Sequence, residues 1–230
     1  MDHPCIRRQP TLVETVRFDA AYRPDTAHRE MTTFLLVRHA LCDPVGQSIA
    51  GRSPGVHLND AGRVQAARLS DRLSAFPIQA VFSAPLERAR ETAAPLADRL
   101  RLPVRTIEAL GEIDFGEWTG RSLGELAGQP TWTRFNTLRS LTRVPGGEAM
   151  LEVQARAVSA VEEIRRTIPE GQCAVVSHGD VIRGLLAHCA GIPLDLMLRL
   201  EISPASVSVL RITEHEISVR AVNVTEQLLA

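Results

Sequence analysis

The chain has 230 residues and a formal net charge of −1, and 44% of its residues are hydrophobic. That length suits one α/β unit with a substantial core, and the near-neutral balance argues against broad electrostatic binding to nucleic acid or to an anionic membrane surface. No apolar run approaches the roughly 20 residues of a spanning helix, and the four cysteines (Cys5, Cys42, Cys173, Cys189) form no closely spaced pair, which points to free thiols in a reducing, cytoplasmic setting.

Residues 1–30 lack periodicity, and Arg7-Arg8 is not followed by the apolar stretch of a secretion signal. They are expected to form a partly ordered N-terminal extension to a single folded unit covering 31–230. Thr33 to Val37 (TFLLV) is the kind of short apolar run found in a strand buried on both faces. Asn59-Asp60 can cap a helix whose apolar face carries Ala66, Leu69, Leu73 and Phe76. Ala80 to Phe82 reads as a second strand. It leads through Pro85 into a helix with Leu86, Ala89, Ala93, Leu96 and Leu100 on one side, and Val104 to Ile107 suggests a third strand.

From Gly111 to Gly147 the character changes: glycines and aromatics (Phe115, Trp118, Trp132, Phe135) accompany only short helical patterns, so a lid or loop region over one face is expected, its aromatics packing beneath it. After Pro145-Gly146-Gly147 a long helix carries Met150, Val153, Ala157, Val161, Ile164 and Ile168 at spacings of three and four. Cys173 to Val176 is a fourth buried strand. The helix after it, with Ile182, Leu185, Leu186 and Cys189, stops at Gly191 and Pro193. Ser206–Thr213 and Glu216–Asn223 read as two strands joined near Glu214-His215, and this hairpin offers an edge for pairing into a homodimer. Strands alternating with helices imply a three-layer α/β/α sandwich with a mostly parallel central sheet.

Three of the expected strands run into reactive residues: the first into Arg38-His39, the second into Ser83 with Arg88 soon after, the fourth into Ser177-His178-Gly179, with Asp180 able to cap the next helix. Ligands of such sheets bind beyond the carboxyl ends of the strands, so these residues can converge. Two arginines, two histidines and a helix N-terminus around one small volume suit a dianion.

These segments carry a resemblance. FLLVRHA resembles the Arg-His-Gly signature of the histidine phosphatase superfamily, the phosphoglycerate mutase-like proteins. SAPLERARET (83–92) resembles its second-arginine motif, GEIDFGEWTG (111–120) the segment bearing its acid, and PGGE (145–148) and VSHG (176–179) its remaining signatures, in the family's order across roughly residues 33 to 224. The resemblance implies a phosphoglycerate mutase-like catalytic domain in which His39 is the nucleophile, Arg38, Arg88 and His178 form the phosphate pocket, and Glu112 is the proton donor. It extends substrate contact to the Gly51-Arg52 turn, Phe115 and Gly179. Glu108, Asp114 and Glu117 are rivals to Glu112 that lack its place in the motif. His57, His188 and His215 have no motif context and are read as structural.

The chemistry agrees with that allocation. A nucleophilic imidazole must be neutral, and a ring nitrogen donating to a backbone carbonyl would fix its tautomer. Two arginines and His178 would offset phosphoryl charge. An alkoxide leaving group needs a proton, so Glu112 must have a raised pKa, with Phe115 and Trp118 as part of its apolar wall. Neither a metal nor a cofactor is called for, because the arginines take the electrostatic part that Mg²⁺ takes elsewhere.

The family usually has glycine where this chain has Ala40, and often threonine and asparagine where it reads Leu41-Cys42-Asp43-Pro44-Val45. The expected activity is hydrolysis of a small phosphorylated metabolite through a phosphohistidine. A mutase of the phosphoglycerate type is the alternative, disfavoured because the stretch from Arg121 to Val144 is short and its basic residues (Arg121, Arg134, Arg139, Arg143) include no lysine. A non-catalytic phosphate- or partner-binding protein is the further alternative, and it would need neither a nucleophile nor an acid.

Overall fold

The run TTFLLVR has no polar face to turn toward water. In the computed structural model of the protein, which describes residues 30–225, it forms the interior strand β1 (Thr32–Arg38), buried along almost its whole length. Its neighbour on one side is β4 (Gly171–Ser177), parallel, with Phe34 opposite Cys173 and Arg38 opposite Ser177. On the other side is β5 (Val207–Ile212), antiparallel. Beyond β4 lie β2 (Ile78–Ser83) and β3 (Val104–Thr106), both parallel. Beyond β5 lies β6 (Ile217–Val224), antiparallel. The order β3-β2-β4-β1-β5-β6 gives the expected mostly parallel sheet, its antiparallel hairpin at one edge.

Helices cover both faces. α1 (Asp60–Leu73) starts where the Asn59 side chain accepts from the Gly62 amide, as its sequence suggests. It ends at Leu73, so Phe76 falls outside it, in the turn before β2. α1 packs on α2 (Glu87–Leu100), for which Leu86 is the N-cap. α5 (Met150–Thr167) and α6 (Gly179–Ala190) pack together on the other face. The core joins Leu69, Leu73, Ala93 and Leu96 of the first pair, and Val153, Ala157, Val161 and Leu186 of the second, to Phe34, Leu36, Val81 and Val175 of the sheet.

The stretch from 111 to 147 is irregular, as expected, but built around its own apolar centre. A short turn at Gly116–Trp118, α3 (Leu123–Ala127) and α4 (Pro130–Thr137) bring Trp118, Trp132 and Phe135 together, with the Trp118 and Phe135 rings edge to face at 5.3 Å. Backbone hydrogen bonds sew it to the loop after β1: Ile49 N–H to Arg121 O, Gly120 N–H to Ile49 O and Leu123 N–H to Gln47 O. The two segments thereby wall a crevice above the carboxyl ends of β1, β2 and β4. No helix among the described residues is long and apolar enough to cross a membrane. The expected extension at 1–30 lies, but for Glu30, outside the described residues.

Candidate active site

Parallel register fixes the first two side chains. His39 follows the last residue of β1, its amide donating to Ser177 O on β4. Its Nδ1 sits 2.8 Å from Ala40 O. A carbonyl only accepts, so Nδ1 carries the proton and Nε2 keeps the lone pair. The Ala40 amide donates to Thr92 Oγ1, which donates to Arg88 O, tying the end of β1 to α2. Ala40 is buried and has no positive φ, so its methyl group replaces a glycine hydrogen without strain.

Arg88, in the first turn of α2, is only 1% exposed. Its Nη2 donates to Gly51 O at 2.8 Å. Gly51 has φ +51°, and a Cβ there would lie 2.9 Å from Thr119 Oγ1, so this carbonyl is presented by a turn that favours glycine. Arg38 donates from Nη1 to Ile202 O. His178 is fully buried at the N-cap position of α6, its ring 5.2 Å from that of His39. Arg38 Nε, Arg88 Nη1 and both ring nitrogens of His178 are buried without a hydrogen-bond partner among the described residues. Burying polar atoms unpartnered costs about 1–3 kcal/mol each, and a tetrahedral oxyanion would satisfy several of them at once.

Glu112 completes the group. Its Oε2 is 3.6 Å from His178 Nδ1 and its Oε1 accepts from the Ile113 amide, with 15% of the side chain exposed. All five residues singled out for chemistry therefore share one cavity or its wall. This cavity, about 280 Å³, is lined by Arg38, His39, Arg88, Glu112, Phe115 and Gly179 among others.

Burial governs the protonation states. It lowers the His39 pKa to about 3, with help from the charges of Arg88 and Arg38. It pushes the Glu112 carboxyl up, assisted by Asp180 and opposed by both arginines. His178 falls well below the usual histidine range through burial, then His39 and the arginines. In the empty pocket the charged form of His178 is thus disfavoured, and the fixed positive charge lies on the arginines.

Three further expectations change. Arg52 turns away from the cavity, donating from Nε to Glu112 O and from Nη2 to Glu148 Oε2, because Glu148 offers it a carboxylate behind the acid-bearing loop. Asp180 does not cap α6; it accepts from Arg139 Nη1 and Arg183 Nη1, each at 2.8 Å. Trp118 packs against Trp132 and Phe135, and Phe115 alone of the expected pair lines the cavity.

Several neighbours of the site lie outside the residues that the sequence singles out. Arg156 of α5 donates to the carbonyls of Ala109, Gly111 and Glu112 while pairing with Glu148. No pattern in the sequence marks it, since it sits beside Ala157 in an ordinary apolar stripe. Glu148 and Thr92 lie inside the PGGE and SAPLERARET motifs, whose pattern alone gives neither residue a task. Arg183 lines the cavity three residues after Asp180 on the same helix, a spacing that was there to be read. Among the described residues no group of three or more His, Cys, Asp or Glu side chains is arranged to hold a metal ion.

Comparison with known proteins agrees with this picture. The model of the histidine phosphatase superfamily, branch 1, matches residues 34–225. Phosphoserine phosphatase 1 of Hydrogenobacter thermophilus is 28% identical, covering 85% of this chain and 93% of the relative. Glucosyl-3-phosphoglycerate phosphatase of Mycobacterium tuberculosis is 29% identical, over 70% of this chain and 76% of the relative. Among solved structures, YhfR of Bacillus stearothermophilus superimposes with a TM-score of 0.79 at 28% identity, covering 85% of this chain and 98% of that one. A mycobacterial glucosyl-3-phosphoglycerate phosphatase in complex with VO3 gives 0.76 at 26% identity, covering 84% and 99%.

Proposed function

The chain belongs to branch 1 of the histidine phosphatase superfamily, and on that footing we propose that it hydrolyses a small phosphomonoester through a phosphohistidine on His39. One observation carries the reading: Arg38, His39 and Arg88 line a single cavity, the His178 ring lies 5.2 Å from that of His39, and Arg38 Nε, Arg88 Nη1 and both His178 nitrogens are buried without a hydrogen-bond partner among the described residues. The solved relative that binds VO3, an anion resembling a transferring phosphoryl group, supports it.

In the proposed reaction the His39 Nε2 lone pair attacks phosphorus, and the bond to the ester oxygen breaks toward that oxygen. The oxygen takes the Glu112 proton and leaves as an alcohol. Arg38 and Arg88 hold the equatorial oxygens, with His178 donating one hydrogen bond. The Glu112 carboxylate then removes a proton from water, which attacks the phosphohistidine, breaks the N–P bond and releases orthophosphate. The buried, unpaired thiols Cys42 and Cys173, the latter pushed up to about 12 by burial, are in keeping with a reducing, cytoplasmic workplace.

Rapid quench under alkaline conditions with labelled ester tests the reading. An acid-labile label on the chain that disappears in His39→Ala, while the variant keeps its far-UV spectrum, is expected. No label on the parent chain would overturn it. Interconversion of phosphoglycerates faster than phosphate release would instead make the protein a mutase.

A further inference from the structure

The carbonyl that fixes the His39 tautomer belongs to a peptide unit whose other end is also held. His39 Nδ1 donates to Ala40 O at 2.8 Å. The amide of that same planar unit, Leu41 N–H, donates to the side-chain oxygen of Gln65 at 2.9 Å. A backbone N–H only donates, so the atom that Gln65 turns toward it is Oε1 and not the amide nitrogen. One line of dipoles thus runs from imidazole through peptide to glutamine.

The start of α1 is fitted to this task. Asn59, its N-cap, donates from its amide to Leu41 O. A Cβ on Gly62 would collide with that same oxygen, so glycine lets the helix lie directly against the chain. Gln65 comes next at the same spacing and reaches the Leu41 amide. A stripe of α1 spaced by three residues therefore grips a single residue, Leu41, just beyond the nucleophile.

The backbone of His39 itself is anchored from elsewhere. Its N–H donates to Ser177 O, its carbonyl accepts from the Ala205 amide, and the Ala40 amide donates to Thr92 Oγ1. The unit between Ala40 and Leu41, on which the imidazole leans, has its N–H held by Gln65. Removing the glutamine oxygen would leave the His39 backbone in place and free the orientation of its acceptor.

Hydrogen bonds in such a series strengthen one another. When Oε1 accepts from Leu41 N–H, electron density moves onto Ala40 O, which becomes a better acceptor for Nδ1–H. The ring gains density in turn, and the lone pair on Nε2 becomes the stronger nucleophile. We infer that Gln65 is a positioning residue that acts through the peptide between Ala40 and Leu41, holding His39 in its Nδ1–H tautomer and raising the reactivity of Nε2. Its effect on rate rests on the phosphatase reading, whereas its effect on the tautomer rests on the hydrogen bonds alone.

Two measurements test it: rapid-quench formation of phosphohistidine from p-nitrophenyl phosphate, and the nitrogen-15 shifts of the His39 ring without substrate, identified by their loss in His39→Ala. Gln65→Leu is expected to form phosphohistidine about tenfold more slowly, the lower end of what losing such an outer partner costs. Breakdown of the phosphohistidine should slow far less, and inhibition by orthophosphate should not change, because Arg38 and Arg88 are untouched. Its ring shifts should move toward the tautomer-averaged values of free imidazole. Gln65→Glu, which keeps an oxygen at that place, should recover the parent ring shifts and most of the rate. A folded Gln65→Leu with either the parent rate of formation or the parent ring shifts overturns the inference. So does an equal loss in both steps accompanied by weaker orthophosphate inhibition, which would mark general loosening of the pocket. Where Gln65→Leu does not fold, Gln65→Glu decides, and averaged ring shifts in that folded variant overturn the inference. If the parent chain forms no phosphohistidine, the phosphatase reading fails, while the ring shifts still judge the part of Gln65.

Discussion

Two ionisable groups with oppositely useful environments define the chemistry at the scale of single residues. Burial keeps His39 neutral down to about 3, so the acid side of kcat/KM belongs to the ester, whose second ionisation lies near 6. The alkaline side belongs to Glu112, whose raised pKa keeps it protonated above the usual carboxylate range. Glu112→Gln should abolish that alkaline decline and slow alkyl esters by about 10²- to 10⁴-fold, while aryl phosphates with good leaving groups lose far less. Equal losses on both ester types would remove Glu112 from the role. His39, Arg38, Arg88 and His178 were legible in the sequence because strand ends in a parallel sheet point at one crevice. The direction of Arg52 was not, since a carboxylate 96 positions away decides it. Nor was the lowered pKa of His178, since burial is a property of the assembled fold.

At the scale of elements, the acid depends on a loop held from behind. Glu148 accepts from Arg52, from Arg156 and from the Asp114 amide, while Arg156 grips three successive stretches of carbonyl backbone at Ala109, Gly111 and Glu112. Arg156→Met would leave Glu148 short of a partner and those carbonyls unpaired. A displacement of the acid of about 1 Å costs on the order of 10²-fold, so kcat on alkyl esters should fall by that order. Aryl esters should suffer much less, and Tm should drop as well. A uniform loss across esters would indicate general destabilisation instead. The strands and the paired helices were readable from periodicity, because their burial repeats locally. The 111–147 region was readable only as irregular: its order comes from aromatic contacts such as Trp118 with Phe135 and from backbone bonds to the loop after β1, which no local pattern announces.

At the scale of the molecule, the pocket sets how stability follows pH. The unfolded chain protonates His39 and His178 below about 6.5, whereas the folded chain resists, His39 down to about 3. Between those values the unfolded state binds more protons, so stability is full above 6.5 and falls as pH drops. Glu112 works the other way: its contribution is present below its unfolded value near 4.3 and is lost as pH rises through its raised folded value. The carboxyls of Asp180, Glu87, Glu125, Glu152 and Glu162, all held below their usual range, add to the two buried histidines and together oppose Glu112 and the exposed His57, so Tm should decline from pH 7 toward pH 4, and His39→Asn should make that decline shallower. An unchanged slope in the variant would mean that His39 is not held neutral. The chain contains 26 basic residues, every one an arginine, so none of its side-chain cations titrates anywhere in this range and the slope reports the histidines and carboxylates alone.

The unpartnered donors of Arg38, Arg88 and His178 are positioned before any ester arrives. They grip the transferred group itself, and the spent inorganic ion keeps that group's tetrahedral shape after the alcohol has departed. Orthophosphate should therefore occupy the vacated cage and compete with fresh ester, tying turnover to ambient phosphate. The molecule would then run fastest when phosphate is scarce and slow itself as the ion accumulates.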